Sequence, residues 1–492
     1  MQPRKYIYLL CSAALLLAAA CNVLDVEPKG SYTTGNYWRN QGDALDGITG
    51  IYNVLLEEEY TGFREFVFDN CSDDQVRGGD HGYDQAIEDF TYDASTPSVR
   101  TGWRWKYEQI NRANNALIYI PDITDIDPAI RDRCLGEAHF LRAFAYWRLM
   151  VLYGEVPIIT EEDVLNDNYN KPKVSIDTLR QYIEADLLQA AELLPETYEA
   201  GDRGRVSKGS AWGLLCKLYM YWEKLDKAIE YGSKVVNNAN YALAPNYVDN
   251  FNAATGNNSE MLFAVQSENG WGYTDFVTYH APRAWGGWSF FYPVKGLVDE
   301  FEPGDPRKEV CIMQAGDQVD IGTEIATYDP SLSGTGYHYR KFCRWLKSGG
   351  LDFSMKTPLL RSADVYLLVA EAKIRTLGPG AGDAEINAVR RRASAALPPV
   401  SGAGMAELMH ERRVELCGEN QRHQDLMRWD KAQLIDITEY YNKPKLTYNG
   451  SQEPIGGAPR TFVRPKHYYF PIPQQEIDRS KGVLVQNPYY QN

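Results

Sequence analysis

Apolar side chains recur about every 3.6 residues along most of this chain, a period typical of amphipathic α-helices. The pattern predicts a helical scaffold over residues 43–56, 103–153, 175–238 and 363–441. The stretch 138–152 is apolar almost all round, which places it in the interior. It stops at Gly154, with Pro157 just beyond, as expected of a helix terminus. The sequence therefore predicts a mainly α fold.

One helix pair follows the tetratricopeptide template, in which two consecutive helices pack through small and aromatic residues. Asp226 can cap its second helix, and Gly232 stands where the template usually has Phe. A second pair is expected over 364–377 and 383–397, joined by a glycine-rich turn. Such pairs bury their faces only by stacking on neighbours, so several should form one scaffold. The matching template positions are Trp212, Leu215, Tyr219 and Ala228.

Three long segments outside the predicted helices, 62–101, 241–357 and 443–492, are rich in Gly, Asp and aromatic residues. Irregular segments of this length are uncommon in compact domains unless they are functional. We expect them to be functional and partly β, with a strand over 261–266. No Pro/Ser-rich linker divides the chain, so residues 21–492 are predicted to form a single domain.

The first residues form a secretory signal, since Arg4 and Lys5 precede an apolar run over residues 6–20. That run is shorter than the roughly 20 residues of a membrane-spanning helix, and no later stretch approaches this length. Small residues at 18–20 directly before Cys21 are what a lipoprotein signal peptidase recognises. We therefore expect residues 1–20 to be removed and Cys21 to carry anchoring acyl chains. The alternative is an ordinary cleaved signal followed by an incidental cysteine.

The net charge of −15 argues against nucleic acid as a partner. Cleavage of the signal would make the chain more negative still, because it removes Arg4 and Lys5. The cysteines after Cys21 are widely spaced and form no CxxC or Cys/His cluster, which predicts neither a disulfide scaffold nor a zinc site. Cys134 and Cys216 fall in the apolar register of their helices and are expected to be core residues.

Residue patterns of the common enzyme classes are missing from the sequence. His410-Glu411 is not followed by the second histidine of a zinc protease motif, and there is no G-x-S-x-G elbow. The glycine-rich segment 378–382 lacks the Lys-Ser/Thr of a phosphate-binding loop. We therefore predict no catalytic residues. A surface glycoside hydrolase stays open as an alternative, because its two carboxylates need to be close only in space.

An acidic cluster in the first insertion offers oxygen ligands of the kind that calcium prefers. Its spacing fits no EF-hand loop, so we interpret it as a solvated acidic loop. No cofactor is predicted, and a structural calcium ion is the alternative. The cluster consists of Asp80, Asp84, Glu88 and Asp89.

Aromatic residues give the strongest functional signal, because Tyr outnumbers Phe by 34 to 16 and buried cores do not require that bias. A flat ring can cover the apolar face of a sugar while nearby polar groups bind its hydroxyls, and rigid rings do so at low entropic cost. The alternative is that these rings pack the insertion onto the helices. In the glycine-rich stretch 271–292 the predicted ligand contacts are Trp271, Tyr273, Tyr279, Trp285, Trp288 and Tyr292.

Further candidate contacts lie around the first insertion. Trp103 and Trp105 are two residues apart on a helix and cannot share one face, so we expect one in the core and one accessible. Asp73, Asp74 and Arg77 are candidate partners for sugar hydroxyls, with ordinary loop solvation as the alternative.

A set of short motifs spans nearly the whole mature chain, and their order is more specific than any one of them. They include Leu24-Asp25-Val26-Glu27-Pro28, Arg112-Ala113-Asn114-Asn115, Ala138-His139-Phe140-Leu141-Arg142-Ala143, Glu411-Arg412-Arg413, Asp425-Leu426-Met427-Arg428-Trp429 and Phe470-Pro471-Ile472-Pro473. Together they resemble the SusD/RagB family of outer-membrane nutrient-binding lipoproteins. The charged members, Arg412, Arg413, Glu415, Asp425 and Arg428, have the spacing of short-range ion pairs on a helix surface.

The resemblance implies a SusD-like fold, with four tetratricopeptide-like helix pairs and irregular insertions that carry the ligand face. It also implies docking on a SusC-like TonB-dependent transporter. We therefore expect a lipid-anchored outer-membrane protein at the cell surface that captures an oligosaccharide or polysaccharide and delivers it to that transporter. The alternatives are a surface glycoside hydrolase or other enzyme, and a peptide- or glycoprotein-binding member of the same fold.

Overall fold

The computed structural model describes residues 37–60, 63–270, 275–392, 397–452 and 459–491. Helices dominate, as the apolar period predicts. The longer ones are α1 (Gln41–Asn53), α2 (Pro97–Tyr119), α3 (Pro128–Tyr153), α4 (Ile176–Leu193), α5 (Lys208–Tyr221), α6 (Leu225–Val236), α7 (Ser362–Leu377), α8 (Asp383–Arg390), α9 (Met405–Glu415) and α10 (Arg422–Lys431). Short helices cover Phe63–Val67, Gln85–Asp89, Glu161–Leu165, Phe276–His280, Lys295–Val298, Arg307–Cys311, Thr438–Tyr441 and Gln474–Arg479.

The longer helices stack in chain order, each against the next from α2 to α7, with α1 packed on α2 and α3. Helix α3 is buried along most of its length, as predicted for residues 138–152. It begins where the Asp127 carboxylate accepts the backbone N–H of Ala129 at 2.8 Å. It ends at Gly154, whose φ of +76° favours glycine. Among the described residues, no helix is both long and apolar enough to cross a bilayer.

The pair α5–α6 explains a departure from the tetratricopeptide template. A Cβ on Gly232 would lie 2.3 Å from Cγ2 of Val369 and 2.9 Å from Sγ of Cys216. The close approach of α6 to α7 therefore excludes the Phe that the template usually has there. Asp226 does not cap α6 as predicted. Lys224 occupies the N-cap position, and Asp226 lies in the first turn, where its charge complements the helix dipole.

Several helix bounds differ from those of the predicted segments. Helix α2 begins at Pro97, six residues before the predicted Trp103, since Pro suits the first helical turn. Helix α8 ends at Arg390 rather than 397. The C-terminal part of the segment predicted over 363–441 is divided into α9, α10 and the short helix Thr438–Tyr441.

In the described part of the chain, eight short strands form four antiparallel pairs within or beside the insertions. The pairs are β1 (Gln75–Arg77) with β3 (Phe291–Pro293), β2 (Met261–Val265) with β8 (Thr357–Arg361), β4 (Ile312–Met313) with β7 (His338–Tyr339), and β5 (Gln318–Asp320) with β6 (Ile325–Thr327). Strand β2 confirms the strand predicted over 261–266. Its partner β8 runs directly into α7, so this pair joins the second insertion to the helical scaffold.

Arg412, Glu415, Asp425 and Arg428 are buried and Arg413 is half-buried, although their spacing predicts ion pairs on a helix surface. Arg412 pairs with Asp364 at 2.9 Å and with Asp425 at 2.8 Å. Burial alone would raise the pKa of Glu415, but three guanidinium groups lower it to about 2. Those groups belong to Arg307, Arg361 and Arg392. These pairs connect distant segments, so they stabilise the tertiary structure rather than a single helix.

Candidate ligand-binding surface

The β1–β3 ladder brings together two loops that are about 200 residues apart in sequence. Arg77 pairs with Phe291, and the backbone N–H of Gly78 extends the ladder by donating to the Phe290 carbonyl at 2.7 Å. Because the strands are antiparallel, the loop that follows β1 and the loop that precedes β3 leave the ladder at the same end. Residues 78–84 therefore lie beside residues 283–290.

Two glycines permit this close contact. A Cβ on Gly78 would lie 2.0 Å from the Ser289 carbonyl oxygen, so no larger residue fits without moving backbone. Gly79 has a φ of +62°, and a Cβ there would lie 2.6 Å from the Phe290 ring. The glycines in the first insertion thus serve close packing between the two loops.

Trp288 is an exposed ring of this surface, with 42% of its area accessible. Its centroid lies 5.6 Å from that of Tyr279 and 5.4 Å from that of Phe290. Tyr279 and Phe290 are buried and stacked on each other at 5.2 Å, with 11° between their planes. Trp288 therefore rests on a rigid aromatic base while much of its surface stays open to solvent.

The backbone at Ser289 directs neighbouring rings to opposite sides. Ser289 has a φ of +56°, which is rare for a residue with a side chain. Its Oγ accepts the Arg283 backbone N–H at 3.0 Å and lies 3.1 Å from Nε2 of His338. This conformation lets Trp288 face solvent while Phe290 is 3% exposed.

Polar and aromatic side chains surround Trp288. The His81 ring packs edge-on against Phe290, with 3.6 Å between the ring centroids. Its Nδ1 lies 3.2 Å from the Tyr83 hydroxyl. Tyr83 is 43% exposed. An exposed ion pair joins Asp80 to Arg283 at 3.5 Å. We call this group, Asp80, His81, Tyr83, Arg283 and Trp288, the platform. It combines open ring surface with hydrogen-bond donors and acceptors, which suits a ligand that has both apolar faces and hydroxyls.

The other predicted contacts of the second insertion differ in exposure. Trp271 and Tyr273 lie outside the described residues. Tyr279 and Tyr292 are buried, and the ring of Tyr279 supports Trp288 from below. Trp285 is half-buried between Trp345, at 5.9 Å, and Tyr328, at 6.0 Å. Within 275–292, Trp288 is thus the predicted ring that presents the most open surface.

Asp73 and Asp74 make ion pairs within the protein. Arg422 donates two hydrogen bonds to the Asp73 carboxylate, and Arg413 donates to Asp74 at 2.7 Å. Burial would raise the pKa of Asp73, but the charges of Arg413 and Arg422 hold it well below its usual range. Arg77 donates to the Gln85 side chain at 3.0 Å and to the carbonyls of the glycines that follow it. These three residues fix the start of the loop 78–84. That they contact a ligand stays a prediction.

Trp103 and Trp105 lie on α2. Trp103 is 4% exposed and packs against Tyr107 and Tyr153. It also borders a separate cleft of about 500 Å³. Trp105 is half-buried, and its indole N–H donates to Glu59 at 3.0 Å. One ring is therefore mainly core and the other is partly accessible.

The acidic cluster of the first insertion is predicted to be a solvated loop, but only part of it is exposed to solvent. Asp84 is buried and accepts a hydrogen bond from Ser98, and buried Glu88 accepts the Arg77 backbone N–H at 2.7 Å. Asp89 accepts from Gln85, while Asp80 is exposed. Within the described ranges, no group of His, Cys, Asp or Glu side chains is arranged to hold a metal ion.

Tyr83, His81 and Arg283 were not predicted from the sequence as ligand contacts. A signal was present, because Tyr83 follows Gly79 and Gly82 with the same mixture of glycine and aromatic residues as the stretch 271–292. What the sequence does not contain is the strand pairing that places the two loops side by side.

Comparisons with known proteins agree with this architecture. SusD-like protein P25 of Formosa agariphila is 26% identical to this chain over 513 residues, which cover 94% of each chain. Starch-binding protein SusD of Bacteroides thetaiotaomicron is 28% identical over 578 residues, which cover 99% of each chain. Among solved structures, a laminarin-binding SusD-like protein has a TM-score of 0.75 at 27% identity, covering 92% of this chain and 100% of that chain.

Two family profiles match consecutive parts of the sequence. The profile described as starch-binding associating with outer membrane matches residues 24–220. The profile described as SusD family matches residues 222–490. The second match alone covers more than half of the chain, and so this protein belongs to the SusD family.

Proposed function

We propose that this protein is a non-catalytic glycan-binding lipoprotein that captures an oligosaccharide at the surface of the outer membrane. The observation that carries this proposal is Trp288, an open indole held on the buried pair Tyr279 and Phe290. A supported, immobile ring loses little entropy when a sugar stacks on it. Asp80 and Arg283 lie close enough to each other to bind hydroxyls of the same ligand.

The ligand class is supported by the relatives. One solved relative is named for laminarin and one sequence relative for starch. Both are neutral glucose polymers, which matches a platform with one acidic and one basic side chain rather than a cationic groove. We therefore propose a neutral glycan as the ligand.

The absence of a second carboxylate on the platform favours binding over hydrolysis. Glycoside hydrolases use two carboxyl groups on either side of the scissile bond. Among the described platform residues, Asp80 is the one carboxylate, and it faces Arg283. The site resembles a lectin-like surface more than a catalytic cleft.

Anchoring and delivery complete the proposed role. Cys21 carries the acyl chains, and the second partner is a SusC-like TonB-dependent transporter. A lipid-anchored binder has no channel of its own, so its cargo must pass to a membrane protein that does. A family profile described by association with the outer membrane supports this location.

The test is to incubate the purified mature protein with laminarin, soluble starch and a panel of other neutral and charged glycans. We expect calorimetric binding to at least one neutral glycan without new reducing ends. Trp288→Ala should weaken that binding by about 5- to 150-fold, the range for losing one stacked ring. Trp222→Ala is the control, because this half-buried ring lies in the turn between α5 and α6. New reducing ends, or equal binding by the Trp288 variant and the control, would contradict the proposal.

A further inference from the structure

A second concave surface lies between α2 and the C-terminal segment. The cleft of about 500 Å³ is bordered by one face of α2, by the loop around Tyr169 and by residues of the segment 476–484. Its volume falls in the range of small-molecule sites, roughly 300–1,000 Å³. None of the five described platform residues borders it. The cleft is thus a separate site.

Aromatic rings form one wall of this cleft. Trp103 and Tyr107 are four residues apart on α2, and their ring centroids lie 5.0 Å apart. Tyr153 packs edge-on against Trp103 at 5.2 Å, and the Tyr107 hydroxyl donates to the Pro157 carbonyl at 2.8 Å. These contacts hold both rings in place. Tyr169 adds a ring that is 49% exposed.

Four of the five charged side chains that border the cleft have ion-pair partners, and the fifth, Arg104, lies over the Trp105 ring at 4.8 Å. Lys171 pairs with Asp163 at 2.7 Å, outside the aromatic wall. Glu476 pairs with Arg479 at 2.9 Å. On α2, Glu108 pairs with Arg112 at 2.8 Å. A charged ligand would have to compete with these pairs, so the cleft favours a neutral one.

One polar atom in the cleft lacks a protein partner. Asn111 borders the cleft, and its Oδ1 is buried without a hydrogen-bond donor among the described residues. Buried acceptors are normally paired, so an unpaired one in a cavity marks a position where a ligand can donate. Such a ligand carries a hydroxyl or N–H group and also an apolar face for the rings.

We propose that this cleft is a second carbohydrate site, which takes a short neutral glycan segment with a hydroxyl on Asn111 and a sugar face on the aromatic wall. The assignment to carbohydrate rests on the proposed function, because the same physical features also suit small neutral amides. A second site would give the protein two contacts with one polysaccharide chain, and two linked contacts bind more tightly than either alone.

The test uses short oligosaccharides prepared from laminarin and from starch as probes. Calorimetry on the mature protein should give two sites. Trp288→Ala should weaken the platform site and leave the cleft site unchanged, and the double variant Trp288→Ala/Asn111→Ala should keep only the weakened platform site. Asn111→Ala alone should remove the cleft site without lowering the Tm, because it deletes an acceptor that no described protein group satisfies.

A second variant avoids dependence on Asn111. Tyr169→Ala removes a half-exposed ring and should weaken the cleft site by about 5- to 150-fold. Tyr489→Ala is the matched control, because Tyr489 is 56% exposed and does not border the cleft. If Trp288→Ala abolishes all binding while Asn111→Ala and Tyr169→Ala bind normally, the second site is refuted and the platform remains the proposed binding site. A wild-type protein that binds no glycan would instead refute the proposed function, and the cleft assignment with it.

Discussion

Asp73 accepts two hydrogen bonds from the guanidinium of Arg422, at 2.8 and 2.9 Å, although 349 residues separate the two in sequence. Asp73 lies just before strand β1, and Arg422 is the first residue of α10. The pair therefore fastens the strand that leads into the platform to the helical scaffold. Both side chains are mostly buried, so each depends on the other for compensation of its charge.

Removing one partner of this pair should be costly. Asp73→Asn leaves the Arg422 charge without its main partner, and we expect the free energy of unfolding to fall by about 3–5 kcal/mol. Urea unfolding at neutral pH measures the loss. The control is Lys227→Gln, which removes an exposed pair with Glu230 and should cost less than about 1 kcal/mol. Equal effects of the two variants would show that Asp73 does not anchor β1.

Trp285 and Trp288 are three residues apart but should respond to truncation in opposite ways. Trp285→Ala removes packing against Trp345 and Tyr328, and we expect it to cost about 2–4 kcal/mol of stability. Trp288→Ala should change the Tm little and mainly reduce glycan affinity. Thermal unfolding and calorimetric titration of both variants separate the two roles. A large loss of Tm in Trp288→Ala would place this ring in the core instead.

Gly232→Ala should destabilise the contact between α6 and α7. The new Cβ would lie 2.3 Å from Val369, and we expect a loss of about 1–3 kcal/mol. Adding Val369→Ala should recover part of it, because the smaller side chain makes room. Gly50→Ala in α1 is the matched control. A Cβ there meets no atom within 4 Å, so that variant should be neutral or more stable by about 0.5–1 kcal/mol.

Acid should destabilise the fold through three buried histidines. Burial lowers the pKa of His280, His338 and His423 from 6.5 to about 3. The unfolded chain binds these protons near pH 6.5 and the folded protein does not, so stability falls as pH drops from about 6.5 towards 3. Each histidine contributes roughly 1.4 kcal/mol per pH unit. Glu415, with its lowered pKa, adds to the loss below its ordinary value of 4.5.

Urea unfolding at a series of pH values measures this dependence. His338→Gln can keep a hydrogen bond with Ser289 but cannot take up a proton in the unfolded state. The slope of stability against pH should therefore fall by roughly 1.4 kcal/mol per unit in that variant. An unchanged slope would show that His338 is protonated equally in both states.

Cys21→Ala should release a folded, soluble protein from the membrane fraction. The residue lies outside the described part of the structure, and the prediction rests on the small residues that precede it and on the acyl chains they imply. Fractionation and immunoblotting of cells without the transporter measure the release. Continued membrane association under those conditions would contradict the lipid anchor.

The sequence predicts the helices well because most of them carry their own apolar period, as α2 and α6 illustrate. It does not predict which charged residues are buried. From the sequence alone, Asp73 resembles an ordinary solvated loop carboxylate, because its partner Arg422 lies on α10, 349 residues later. Of the predicted rings, Trp288 and Trp285 have the same local signal, and their exposure is decided by non-local contacts such as that between Trp285 and Trp345. Local patterns therefore define the scaffold, and tertiary contacts define the platform.

The pairing of β2 with β8 has a consequence for how proteins with this scaffold diversify. Adjacent antiparallel strands hold their backbones about 5 Å apart, so the two ends of the segment between Val265 and Thr357 leave the scaffold side by side. A replacement segment of different length and chemistry could begin and end at the same two points without disturbing the stacked helices. Selection for binding a new nutrient can then change this one segment, while the helices that support it stay the same.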